Sequence, residues 1–212
     1  MESKIIFHQK DLDVAFQWIE FAYQQGNALL EAGKRRLADF ALFKHVPTGS
    51  CYTSSRSSFD RYVWLDVDLY LPDTENLIQK IIFVALSYAS DENEGCYFIV
   101  GTCDLKDDGG YLLKKPTHGH WLIDYSVNPT YYPKKFEIVE RTDGLAQFIP
   151  GEALEPAYRD GVKQILSASF PVSWIDTESR LSAIIKGLVD LYKNDETQEL
   201  SYLLKEAEEF LK

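Results

Sequence analysis

Tyr62-Val63-Trp64-Leu65-Asp66-Val67-Asp68-Leu69-Tyr70-Leu71 is the stretch on which the fold turns. Val63, Leu65, Val67, Leu69 and Leu71 recur at every second position, and Asp66 and Asp68 share the alternate positions. Period two places neighbours on opposite faces of a strand, so one face is apolar and the other carries paired carboxylates. Pro72, which has no N–H for a ladder, ends the run.

Strand signals continue downstream. Residues 96–103 read as a strand, and 121–127 and 136–140 as shorter ones. Residues 73–89 fit two patterns. Leu77, Ile81, Val84 and Tyr88 have helical spacing behind a cap at Asp73 or Thr74, while Ile81-Ile82-Phe83-Val84 favours a strand that pairs through a turn at 91–95. The strand is preferred for 80–89. Asp107-Asp108-Gly109-Gly110 reads as a turn. Strands joined by turns and short loops imply a mainly antiparallel sheet.

On either side of this region the period changes to that of helices. Between residues 11 and 44, Leu12, Ala15, Phe16, Ile19, Leu29, Leu30, Leu37 and Phe40 recur mainly at steps of three and four, with breaks at Gly26-Asn27 and Gly33. Two helices, or one with a break, are predicted there, with 40–46 equally readable as a short strand. Residues 47–61, rich in Ser, Thr and Gly, read as an exposed loop. Beyond Pro150, residues 153–169 and 176–193 read as helices, the second capped by Asp176 and burying Leu181, Ile184, Ile185, Leu188 and Leu191. Residues 195–212 repeat the design with Leu200, Leu203, Leu204, Ala207, Phe210 and Leu211 on the apolar face, so a helical hairpin closes the chain. The expectation is one α+β domain over 1–212: N-terminal helices in 1–46, a central mainly antiparallel β-sheet in 61–150, and a helical C-terminal part in 153–212.

The chain has 212 residues and a net charge of -11, with 45% hydrophobic and 14% aromatic side chains, a composition that folds around its own core. Residues 1–50 balance six basic against six acidic side chains, so the whole excess lies in 51–212. Only Lys34, Arg35 and Arg36 cluster as cations, and direct nucleic-acid binding, which needs a basic footprint, is not expected. Acidity serves solubility, and it also suits a face that meets a protein with a basic surface. The three cysteines, Cys51, Cys96 and Cys103, form no CxxC pair and read as reduced thiols, Cys96 and Cys103 as core packing at the two ends of a strand. No charged leader joined to an apolar core follows Met1, and no apolar run approaches the ~18 residues of a membrane span. The cytoplasm is the expected location.

Asp66 and Asp68 are the residues most suggestive of chemistry, because two carboxylates on one strand face can share a divalent cation. A solvent-facing sheet surface explains them equally. Upstream lies Gly49-Ser50, read as a turn, and downstream Asp124 lies in Leu122-Ile123-Asp124-Tyr125. A Gly-Ser turn, an Asp-x-Asp strand and a later strand aspartate are similar to the core pattern of nucleotidyltransferases. That resemblance implies Asp66, Asp68 and Asp124 as magnesium ligands and Gly49-Ser50 as the phosphate-binding turn. The chain departs from the pattern in the fifteen residues between Ser50 and Asp66 and in Val46-Pro47-Thr48 where a strand is expected. His118-Gly119-His120, with Asp104, Asp107 or Asp108 nearby, supplies two imidazoles where zinc takes roughly three or four protein ligands. It reads as a turn instead. Signatures of phosphate loops, dinucleotide folds, zincins and serine hydrolases are absent from the sequence.

Pro129-Thr130-Tyr131-Tyr132-Pro133 is a loop by its prolines, and Tyr131 and Tyr132 are candidate binding residues, since tyrosines bring contact area with few rotors. The first functional expectation is therefore a non-catalytic acidic protein of the inhibitor or immunity type, without a cofactor, that binds a basic protein. The alternative is the magnesium-dependent nucleotidyl-transfer enzyme.

Overall fold

The computed structural model describes residues 9–40, 43–54, 62–72, 78–89, 95–106, 122–123, 126, 132, 134–139 and 141–212. For 43–54 and 62–72 the description is of the backbone. In chain order the elements are α1 (Gln9–Ala38), β1 (Phe43–Ser54), β2 (Tyr62–Pro72), β3 (Lys80–Ala89), β4 (Gly95–Leu105), β5 (Phe136–Val139), β6 (Ala146–Pro150), α2 (Pro156–Arg159), β7 (Val162–Pro171), α3 (Glu178–Asn194) and α4 (Gln198–Phe210). A 3₁₀ turn, Val172–Trp174, joins β7 to α3. The chain has the α+β architecture expected of it: an N-terminal helix, a central antiparallel sheet and a C-terminal helical pair.

The strands form one sheet in the order β1-β2-β3-β4-β7-β6-β5, antiparallel at every pairing. β1 to β4 follow one another as a meander. The chain then leaves the sheet, forms the β5–β6 hairpin and returns as β7 beside β4. Its core has two layers, one on each sheet face. Ile82, Val84, Leu86, Phe98, Val100, Leu166, Ala168 and Phe170 pack under α1, α3 and α4, which contribute Leu37, Ile184, Leu188, Leu200 and Leu203. Ile81, Phe83, Ala85, Ile99, Cys103 and Ile165 face the other way and are covered by Leu122, Ile123, Leu154 and Tyr158.

Both faces of β3, β4 and β7 are thus buried, and this explains the main departure from expectation. Residues 153–169 form no long helix: only Pro156–Arg159 is helical, and Val162–Pro171 is a strand. A strand covered on both sides loses its polar alternation. Its apolar residues Val162, Ile165, Leu166, Ala168 and Phe170 then mimic helical steps of three and four. The opposite error occurs at residues 121–127, where Leu122, Ile123 and Ser126 are helical. Ser126 Oγ donates to the Ile123 carbonyl at 2.8 Å, a bond within one helical turn.

The expected loop at 47–61 is also revised, because its first part belongs to β1, an edge strand. Its Pro47 and Gly49 have low strand preference, but the ladder to β2 supplies backbone partners that propensity does not count. Pro47 is accommodated beside a register shift between Pro47 and Gly49, as prolines are at edges and bulges. α1 is a single helix that runs through Gly26-Asn27 and Gly33. At Gly33 the helix comes so close to β4 that a Cβ would meet the Phe98 ring at 3.4 Å.

α3 buries Leu181, Ile184, Ile185, Leu188 and Leu191, the stripe read from its sequence. Its cap is Thr177 rather than Asp176: Thr177 Oγ1 accepts from the Arg180 N–H at 3.3 Å, and Asp176 pairs with the Arg180 guanidinium at 2.7 Å. That guanidinium also lies 4.9 Å over the Trp174 ring. α3 ends at Asp195, whose left-handed φ of 57° turns the chain into α4. Lys80 ties this turn to the sheet. It pairs with Asp195 and, at 3.5 Å, with Asp104, which also accepts from Gln164 Nε2 at 2.6 Å.

Candidate functional site

Asp66 and Asp68 both lie on β2, and the ladders place them by register. Asp66 pairs with Ser50 on one side and Leu86 on the other, and Asp68 with Pro47 and Val84. Ser50 therefore does come next to an aspartate position. Gly49 and Ser50 are not a turn, however, but continue β1 opposite Val67 and Asp66. This removes the phosphate-binding turn from the nucleotidyltransferase resemblance. Asp124 lies outside the described residues, as do Asp107, Asp108, His118, His120 and Tyr131. Among the described residues, no three or more His, Cys, Asp or Glu side chains gather where they could hold a metal ion.

The remaining candidates fall in different places. Tyr132 is half-buried, and its carbonyl accepts from the Lys135 N–H at 3.2 Å. Cys96 and Cys103 are free thiols at the two ends of β4. Burial pushes the Cys96 thiol up to about 12 and raises that of Cys103, where the Asp104 carboxylate adds to the effect. Neither is poised as a thiolate nucleophile.

A different part of the molecule gathers exposed charge and aromatic surface. α4 turns Leu200, Leu203, Leu204 and Ala207 into the core. At 100° per residue, Tyr202, Glu206 and Glu209 fall together on the side away from that stripe, with Glu199, half-buried against α3 at Gly187, on their flank. Tyr202 is 60% exposed, and its hydroxyl donates to Glu206 Oε1 at 2.7 Å. This bond, followed by the charges of Glu206, Glu209 and Glu199, raises the phenol above its ordinary range. At the C-terminal end Phe210 and Leu211, expected on the apolar face, are instead 53% and 60% exposed. Phe210 lies at the rim of the stripe, and Leu211, beyond the last turn, borders the space between α4 and the sheet.

The charge on α4 opposes its own stability. Its last turn holds Glu208 and Glu209 and no basic side chain, although carboxylates at the negative end of a helix cost roughly 0.3–1 kcal/mol each. On the inner flank of the helix a cleft of about 290 Å³ opens between α4 and the sheet. Tyr97, Ser167 and Ser169 line it from β4 and β7, and Leu204, Ala207 and Glu208 from α4.

The signal for this region was present in the sequence as the Glu-rich repeat of 199–209. Reading it only for its apolar stripe left the opposite face out of account. Comparison with protein-family models, with curated proteins and with solved structures finds no match to this chain. Among the described residues no helix is long and apolar enough to cross a membrane.

Proposed function

We propose that this chain is a non-catalytic cytoplasmic protein that binds another protein, in the manner of an inhibitor or immunity protein, through an acidic face that meets a basic surface. The observation that carries the reading is the outer face of α4, where Tyr202 stands exposed among Glu199, Glu206 and Glu209. An exposed tyrosine surrounded by carboxylates offers an anchor with few rotors and a field that steers a cationic partner toward it. The unfavourable carboxylates at the helix end support the same reading, since local conflicts of this kind are expected at functional surfaces.

The test is capture of a partner from the native cell extract by the immobilised chain at low and high salt, compared with Tyr202→Ala and Glu206→Lys. Capture should weaken as salt rises, because these charges are exposed to screening. Each substitution should weaken binding by about tenfold or more. A partner held equally by both variants, or no partner at either salt, removes the support for this face.

A further inference from the structure

β7 is longer than its partner on one side. It pairs with β4 as far as Pro171, but its ladder to β6 ends at the pair Ala146 and Ser167. The chain before β6 is drawn aside by the 141–145 turn, in which Arg141 grips Asp143 and Ser201 of α4 donates to the Asp143 carbonyl. Among the described residues no strand pairs with the edge of β7 from Ala168 to Pro171. At ~3.3 Å per residue this open edge is roughly 13 Å long, and alternate residues along it present backbone groups that a strand would satisfy.

The 290 Å³ cleft follows this open edge. Its walls combine apolar surface, from Ala146, Leu204, Ala207 and Leu211, with one charged residue, Glu208. Ser167 also lines it.

We propose that the open edge of β7 takes up an extended segment of the partner protein as an added strand, with a lysine or arginine of that segment against Glu208. Apolar side chains of the segment pack on Leu204, Ala207 and Leu211, and its backbone pairs with β7. Strand addition draws affinity from main-chain hydrogen bonds and specificity from the pockets beside the edge. Pro171, which lacks an N–H, sets the end of the pairing. This inference rests on the protein-binding reading and assigns the partner's conformation and charge.

The test uses the full chain and a fluorescent heptapeptide whose alternate positions, those that would face α4, are valine, valine and lysine, with threonine at the positions between. Comparison peptides replace lysine by glutamate, or carry N-methyl groups on one or the other alternate set of amides. The lysine peptide is expected to bind, the glutamate peptide to bind at least about tenfold more weakly, and one N-methylated peptide to lose a similar factor because half of its amides can no longer pair. Glu208→Lys should weaken the lysine peptide about tenfold, and bound peptide should slow amide exchange at 168–170. No binding by any peptide, equal binding by both N-methylated peptides, or protection confined to α4 would overturn the proposal. Glu206→Lys separates the two readings. If it abolishes capture of the native partner while no peptide binds to β7, the acidic face stands and the added strand falls. If the peptides bind but no partner is captured with either face intact, the strand-accepting edge stands and the reading built on the outer face falls.

Discussion

A single methyl group at position 101 has no room. Gly101 lies in β4 where a Cβ would come within 2.2 Å of the Leu166 carbonyl oxygen and 2.4 Å of the Phe83 ring. Gly101→Ala must push β7 or the ring aside, and overpacking of this kind costs about 1–3 kcal/mol. A urea titration should show a lowered midpoint with the slope unchanged. Asp143 makes stability depend on pH. The Arg141 hydrogen bond, ahead of bonds from Thr197 and the Leu145 N–H, holds its carboxyl down at about 2 from an ordinary 3.8. The unfolded chain therefore takes up this proton more readily than the folded one. The contribution is complete above the ordinary carboxylate value and is lost as pH falls through it towards 2. Its size is on the order of 1–2 kcal/mol, discounted because both side chains keep contact with water. Asp143→Asn should remove that part of the acid dependence, measured by thermal unfolding from pH 5 to 2. An unchanged acid profile would show that the pair contributes nothing.

Among the elements, α3 and α4 make opposite demands. Thr177 caps α3 through the Arg180 N–H, and Thr177→Ala should lower stability by about 1 kcal/mol with little effect on partner capture. α4 has carboxylates at its negative end, so Glu209→Lys should raise stability by roughly 0.3–1 kcal/mol and weaken partner capture together. Measuring melting temperature and capture on the same variant tests both signs. A variant that gains stability and keeps its partner would mean that Glu209 lies outside the binding face. β7 carries helical steps of three and four within a strand. Its spacing is compatible with either period, and only pairing with β4 and β6, with both faces buried, makes it a strand.

For the whole molecule, the helical layer is what closes one side of the sheet. Ending the chain after Asn194 would remove Leu200, Leu203, Leu204 and Ala207 from the core and uncover Leu188 and Leu191. Loss of one buried leucine side chain costs about 2–5 kcal/mol, so loss of the layer should leave a chain that binds hydrophobic dyes and melts without a sharp transition. A truncated chain that melts like the full one would show α4 to be dispensable. What the sequence alone determined are the elements whose signal is local: β2, β4, the α3 stripe, and the helical pair at the end. Each carries its own period or turn chemistry. Tertiary structure decided the rest. β3, which fits two periods, is fixed by its pairing with β2 and β4. β1 became a strand because β2 offered its polar residues a ladder, and β7 because neighbours covered both its faces. Gly49 and Ser50 lost their turn for the same reason as β1 gained its length. The exposed face of α4 and the open edge of β7 are defined by what packs, or does not pack, beside them, and burial between segments distant in the chain is a property no local period encodes.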